Sequence, residues 1–274
     1  MRTDKITYTH TGGETKLLKS IERYFLDSGK AYGYNAVQRA LRNKDVKING
    51  ARVKENVTIS DGGVVEIYLP TAGKDFSKRV VYGDENIIVL DKPAGVECND
   101  TLEQAVGAKP VHRLDRNTEG LLVFAKNETA ENELKEAFRK RTIEKYYTAE
   151  VVGHLPENEA SLTAYLKKDA ENSEVRVSAA PAKGYVKIIT AYKVLERREN
   201  SDFMEVKLVS GKTHQIRAHF AFLGHPVVGD GKYGRNEENK GFGKNRQQLR
   251  AYRLVFHFNK TQKLGYLEGK EIKI

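Results

Sequence analysis

The chain holds a single cysteine, Cys98, in 274 residues. One thiol can form no disulfide within the chain and no cysteine-based zinc cluster. That usage fits a reducing compartment, so a cytoplasmic protein is expected. Long uncharged apolar runs are also missing, and no membrane-spanning helix is expected. The N-terminus, MRTDKITYTHTGGE, lacks the apolar stretch of a secretory leader, so none is expected. There is no internal repeat and no low-complexity tract. With 39% hydrophobic and 31% charged residues, the composition suits a folded globular chain rather than a disordered one.

Positive charge is plentiful. The formal net charge is +10, a balance that favours polyanionic partners, chiefly nucleic acid. Residues 1–78 carry 14 Lys and Arg against 9 Asp and Glu, so half of the excess sits at the front of the chain.

Periodicity sets the elements. In residues 15–27, Leu17, Leu18, Ile21 and Phe25 recur at helical spacing. Gly29 and Gly33 break that pattern, and Asn35 is placed to cap a second helix with Val37, Ala40 and Leu41 inward. VKINGARV then reads as strand, Asn-Gly turn, strand. A further strand, VVEIYL, ends at Pro70, and the polar stretch 71–78 reads as a linker. Beyond it, VVYGDENIIVLDKPAG gives two strands and a turn. Residues 129–140 give an amphipathic helix with Leu134 and Phe138 inward. Strands recur from Tyr146 onward, and HQIRAHFAFLG reads as a short helix ended by Gly224. Residues 155–182 and 235–248 carry no clear pattern. The class expected is α+β with a mixed β-sheet, in two domains, 1–72 and 73–274.

Two helices followed by a V-x-I-N-G hairpin resemble the αL motif, the small ribosomal-type (S-four-like) RNA-binding domain. The helix 36–43 and DVKINGARV, residues 45–53, carry the resemblance. It implies that Arg39, Arg42, Lys44 and Lys47 line a basic face that contacts phosphates. A solvated basic helix is the plainer alternative. The family's usual Gly-Asp before the last strand is Gly62-Gly63 here.

HRLDRNTEGLLVFAK sets Asp115 between Arg113 and Arg116. Positive charge beside a carboxylate favours the ionised form, which can serve as nucleophile or base. Taken alone, a structural Asp–Arg pair is the commoner arrangement.

The larger pattern points elsewhere. HRLDRNTEGLLV resembles the H-R-L-D-x-x-T-S-G-L-L motif of the RluA-type RNA pseudouridine synthases. Four further segments match that family in order: DKPAG (91–95), EKYYTAEV (144–151), GKTHQIRAHFAFLGHP (211–226) and VVGDGKYG (227–234). The resemblance covers residues 79–274, and the front domain adds 15–69. It implies that Asp115 is the catalytic aspartate and Arg217 the arginine that pairs with it. Tyr147 matches the tyrosine that stacks on the target uracil and is a candidate for removing the proton from carbon 5. Arg113 matches the residue that fills the gap left by the flipped base. Uracil would leave its ribose, rotate and reattach through carbon 5. No atoms enter or leave, so no cofactor and no metal are expected. The base must flip out of a helix or be unpaired already. Asp115 would either attack the anomeric carbon or remove a sugar proton.

RNA is the implied partner, ribosomal RNA favoured over transfer RNA. The rival reading is a non-catalytic RNA-binding or ribosome-assembly protein on the same fold. A glycoside hydrolase would want two paired carboxylates, and one convincing candidate is present. Two departures from the family stand out. Glu119 replaces the usual Ser and is expected to point outward, and Lys212 replaces an Arg. His112, His214 and His219 are read as structural, not metal ligands, and GDGKYG as a turn rather than a phosphate loop.

Overall fold

Apolar residues spaced for one helix face or alternating along strands dictate most of the elements. The computed structural model describes residues 3–28, 34–70, 76–169, 174–234, 236–244 and 246–274. The chain forms two compact units, Met1–Lys78 with Cys98–Lys109, and Arg79–Glu97 with Pro110–Ile274.

The first unit contains β1 (Thr3–Thr9), β2 (Thr15–Lys16), α1 (Leu17–Asp27), α2 (Tyr34–Arg42), β3 (Val46–Ile48), β4 (Ala51–Val53), β5 (Thr58–Ile59), β6 (Val64–Pro70) and α3 (Asp100–Val106). Its main sheet runs β1-β6-β3-β4, and β2 pairs with β5. Leu17, Ile21 and Phe25 of α1 and Val37, Ala40 and Leu41 of α2 close over Val46, Val65 and Ile67 of that sheet. Full burial of each Leu, Ile, Val or Phe among them contributes about 1.5–3 kcal/mol. The Asn-Gly turn forms as read. Asn49 and Gly50 have φ of 50° and 80°, so both central residues adopt the positive φ that a tight hairpin demands. Asn35 differs from expectation, because α2 begins at Tyr34 and Asn35 lies inside it. Gly29 and Gly33 lie outside the described residues. The polar-looking N-terminus forms β1, in register with β6 from Thr3↔Pro70 to Thr9↔Val64. In α3, Asn99 Oδ1 accepts from the amides of Thr101 and Leu102, and Gly107 ends the helix with φ 73°.

The second unit holds β7 (Val80–Gly83), β8 (Ile87–Lys92), β10 (Glu119–Ala125), β11 (Ile143–Val152), β12 (Glu159–Asp169), β13 (Glu174–Ser178), β14 (Val186–Arg197), β15 (Ser201–Leu208), β16 (Leu249–Phe256) and β17 (Glu271–Lys273). A two-residue strand, β9 (Lys109–Pro110), precedes β10, and the helices are α4 (Glu128–Lys140), α5 (Gln215–Phe222) and α6 (Asn236–Gly241). The large sheet runs β13-β12-β14-β15-β11-β16-β10-β8-β7, with β17 added to β16. Along this path β10 and β16 are parallel and the other neighbours antiparallel, so the sheet is mixed. The unpatterned stretch 155–182 contributes β12 and β13. Leu121 and Val123 of β10, Leu134 of α4, Ile143 of β11 and Leu254 and Phe256 of β16 make the central core.

Gly120 sits where β10 meets β16, opposite Ala251, with φ 113°. A methyl group there would be driven into the carbonyl oxygen of Ala251. Gly120→Ala therefore combines backbone strain with a clash against a central strand. Its expected cost is roughly 3 kcal/mol or more, read as a lowered denaturation midpoint. Unchanged stability would show that the two strands part there without penalty.

Candidate active site

The loop 111–118 enters β10 and carries Asp115, and it is anchored from two sides. The Lys92 side chain is fully buried, and its Nζ donates to the carbonyls of Pro93 (3.0 Å), Val96 (2.8 Å) and Arg116 (3.2 Å). The Gly95 amide donates to the same Arg116 carbonyl at 2.8 Å. On the other side, the buried Gln247 Nε2 donates to Thr118 Oγ1 at 2.8 Å. The DKPAG segment thus acts as a clamp on the backbone beside Asp115.

The neighbours in sequence are not the partners of Asp115. Arg113 is exposed, and its guanidinium has no hydrogen bond or ion pair among the described residues. Arg116 pairs with Glu97 at 3.9 Å. The cation on Asp115 comes from α5, where Arg217 Nη1 donates to Asp115 Oδ2 at 2.9 Å. Arg217 is buried, and its other edge is taken by Asp230: Nε donates to Oδ2 at 2.7 Å and Nη2 to Oδ1 at 2.9 Å. The amides of Lys232 and Tyr233 also donate to Asp230 Oδ1, at 2.9 and 3.2 Å. The Tyr233 ring lies 5.2 Å from the guanidinium carbon.

These contacts set the charge states. Burial disfavours the Asp230 anion, but the hydrogen bonds and charge of Arg217 outweigh it and hold the carboxyl below its ordinary range. Burial likewise opposes the Arg217 cation, and the two aspartates more than compensate. Tyr147 is buried on β11, and its hydroxyl has no hydrogen bond among the described residues. Burial, then the charge of Asp115, pushes that hydroxyl well above the ordinary tyrosine range, so it stays protonated.

The remaining sequence candidates lie in the first unit. Arg42, at the end of α2, and Lys44, just after it, are exposed. Lys47 lies on β3, 3.8 Å from Glu66 and with its ammonium 5.4 Å from the Tyr68 ring centre. The side chain of Arg39 is outside the described residues. Glu119 is paired with Arg250 at 3.1 Å, so its extra negative charge is met locally. Lys212 is exposed.

His112, which accepts from the Val123 amide at 3.0 Å, has its pKa lowered to about 3 by burial and by Lys145. His219 is lowered to about 4 by burial and bonds Thr190. Among the described residues no group of three or more His, Cys, Asp or Glu is arranged to hold a metal. Sequence reasoning missed Asp230. The signal was GDGKYG, legible as a turn but silent on where its carboxylate points.

A family model described as RNA pseudouridylate synthase matches residues 86–222. Ribosomal large subunit pseudouridine synthase C of Vibrio cholerae is 28% identical over 286 residues, covering 93% of this chain and 88% of that protein. An RNA pseudouridine synthase of Aquifex aeolicus, described as uncharacterized, is 30% identical over 256 residues, covering 81% and 78%. Among solved structures, human RNA pseudouridylate synthase domain containing 1 superposes with a TM-score of 0.60 at 25% identity, covering 71% of this chain and 82% of that one. The family match runs from the turn before β8 to the end of α5 and so takes in both Asp115 and its arginine. The chain belongs to the RNA pseudouridylate synthase family.

Proposed function

We propose that Asp115 is the group that acts on the ribose of the target uridine and that the substrate is ribosomal RNA. A pseudouridine synthase must detach uracil, turn it and rejoin it through carbon 5, all without losing it. A carboxylate acting on the sugar, either at the anomeric carbon or on a sugar proton, needs a free, charged oxygen held in place. The observation that carries this reading is the Arg217 contact to Asp115 Oδ2, made by a guanidinium whose other edge is fixed on Asp230.

Tyr147 is the stacking platform in this reading. Base stacking on an aromatic ring is worth about 1–3 kcal/mol. Its raised hydroxyl pKa favours that role over proton removal from carbon 5. Arg113, exposed and unpaired among the described residues, is free to enter the RNA where the base has left. Arg39, Arg42, Lys44 and Lys47 hold phosphates of the RNA. Ribosomal RNA is favoured over transfer RNA by the names of the Vibrio, Pasteurella and Haemophilus relatives and by the S-four-like pattern of the front unit. We place the enzyme in the cytoplasm, in line with its single cysteine.

Three outcomes test these assignments. Asp115→Asn is expected to abolish pseudouridine formation while RNA affinity and melting temperature hold. Substantial turnover by the Asn variant would remove Asp115 from the chemistry. Asp230→Ala leaves Arg217 buried with one partner, and a stability loss of about 3 kcal/mol is expected in denaturant unfolding, together with slower turnover. Wild-type stability and rate in that variant would mean that Arg217 holds its place unaided. Changing Arg42, Lys44 and Lys47 together to Gln is expected to weaken RNA binding. The slope of log affinity against log salt should flatten by about 1 for each phosphate no longer held, with turnover at saturating RNA retained. An unchanged slope would clear this surface of any role.

A further inference from the structure

Arg217 covers one oxygen of the Asp115 carboxylate; the other oxygen faces a histidine. His214 lies at the N-terminal end of α5, three residues before Arg217, and its Nε2 stands 3.8 Å from Asp115 Oδ1. The opposite ring nitrogen, Nδ1, lies 2.7 Å from Tyr233 Oη. That hydroxyl already accepts the Val175 amide at 3.1 Å. The hydroxyl's own proton remains to be given, and His214 Nδ1, 2.7 Å away, is placed to take it. A neutral imidazole accepting at Nδ1 carries its hydrogen on Nε2, the nitrogen that faces Asp115.

We propose that His214 is a positioning residue: fixed by Tyr233 in its Nε2–H form, it orients the second oxygen of the Asp115 carboxylate. The inference rests on the reading of Asp115 as the reacting group. Once the 3.8 Å approach of His214 closes, two donors at one end of α5, one per oxygen, restrain rotation of the carboxylate about its Cβ–Cγ bond. Contacts of this kind shorten when substrate is bound. The charged groups facing the ring are Asp115, Arg217, Lys232 and Asp230. Burial lowers the imidazole pKa first, Asp115 opposes this, and Arg217 and Lys232 add to it, so the ring stays neutral at neutral pH. Neutrality has a use here. A second cation on Asp115 would damp the carboxylate's reactivity, whereas a neutral N–H directs it without that loss.

The backbone at His214 has φ 53°, a conformation that Asn adopts readily and Gln does not. This separates folding from function. His214→Asn keeps the backbone comfortable and sets its amide near the position of Nδ1, within reach of Tyr233, but no longer reaches Asp115. His214→Gln strains the backbone but sets an N–H near the position of Nε2. Single-turnover pseudouridine formation at saturating RNA, measured beside RNA affinity and melting temperature, should show the Asn variant about 10²-fold slower with both binding and melting retained. The Gln variant should be faster than the Asn variant despite melting lower. Tyr233→Phe frees the ring tautomer and should also slow the single-turnover step, and it decides the matter should the Asn variant fail to fold. A wild-type rate for the Asn variant or for Tyr233→Phe overturns the proposal, as does a Gln variant no faster than Asn. Asp115→Asn, run alongside, separates the two failures. Retained turnover there sinks the reading of Asp115 itself, while a dead Asp115→Asn beside a wild-type His214→Asn sinks only the role of His214.

Discussion

One guanidinium is divided between two carboxylates, and the architecture of the site follows from that division. Arg217 gives its Nε and Nη2 edge to Asp230 and leaves Nη1 for Asp115. A buried cation with a single mobile partner would be costly to desolvate and poorly placed. With Asp230 as a fully buried, four-donor anchor, the cation is fixed before any substrate arrives. Asp115 then meets a preorganised donor on one oxygen, and its other oxygen faces His214. The arrangement depends on GDGKYG turning back on α5, so a glycine-rich turn and a helix end are parts of one device.

The loop bearing Asp115 needs equal restraint, and it receives it through backbone atoms. Lys92 commits its ammonium to carbonyl oxygens, one of them that of Arg116. Gln247 holds Thr118 from the approach to β16. Gly120 lets the two parallel strands close together just beyond the loop. The carboxylate is thus positioned by contacts that bear no resemblance to its chemistry.

Much of the fold was legible because its apolar spacing is regular: Leu17, Ile21 and Phe25 on α1, or Leu134 on α4, could hardly face elsewhere. β12 was not, since its inward positions include the small Ala160 and Ala164 and its end carries consecutive lysines, Lys167 and Lys168. β1 was also missed, its pairing with β6 being invisible in a short segment, TDKITYT, whose only apolar positions are Ile6 and Tyr8. At the site, the segments could be read from local spacing, but the pairing of Arg217 with Asp115 came only from the family resemblance. Local spacing offered Arg113 and Arg116 as partners for Asp115, whereas the true partner lies 102 residues away. Nor could sequence tell that His214, weighed only as a ligand candidate, faces the same carboxylate. Long-range pairing is decided by how the loop before β10 meets the start of α5, which no local pattern records.

The chain leaves its second unit at Cys98, contributes α3 to the first, and returns at Pro110, a few residues before Asp115. Neither unit is therefore one uninterrupted stretch of sequence. A genetic exchange with a single crossover near residue 78 would bring in a foreign front and leave α3 without the α2 it packs against. In lineage terms the two units are inherited as a stitched pair rather than as beads on a string. Substitutions in α2 and in the segment just ahead of the loop that carries Asp115 are bound to answer to one another.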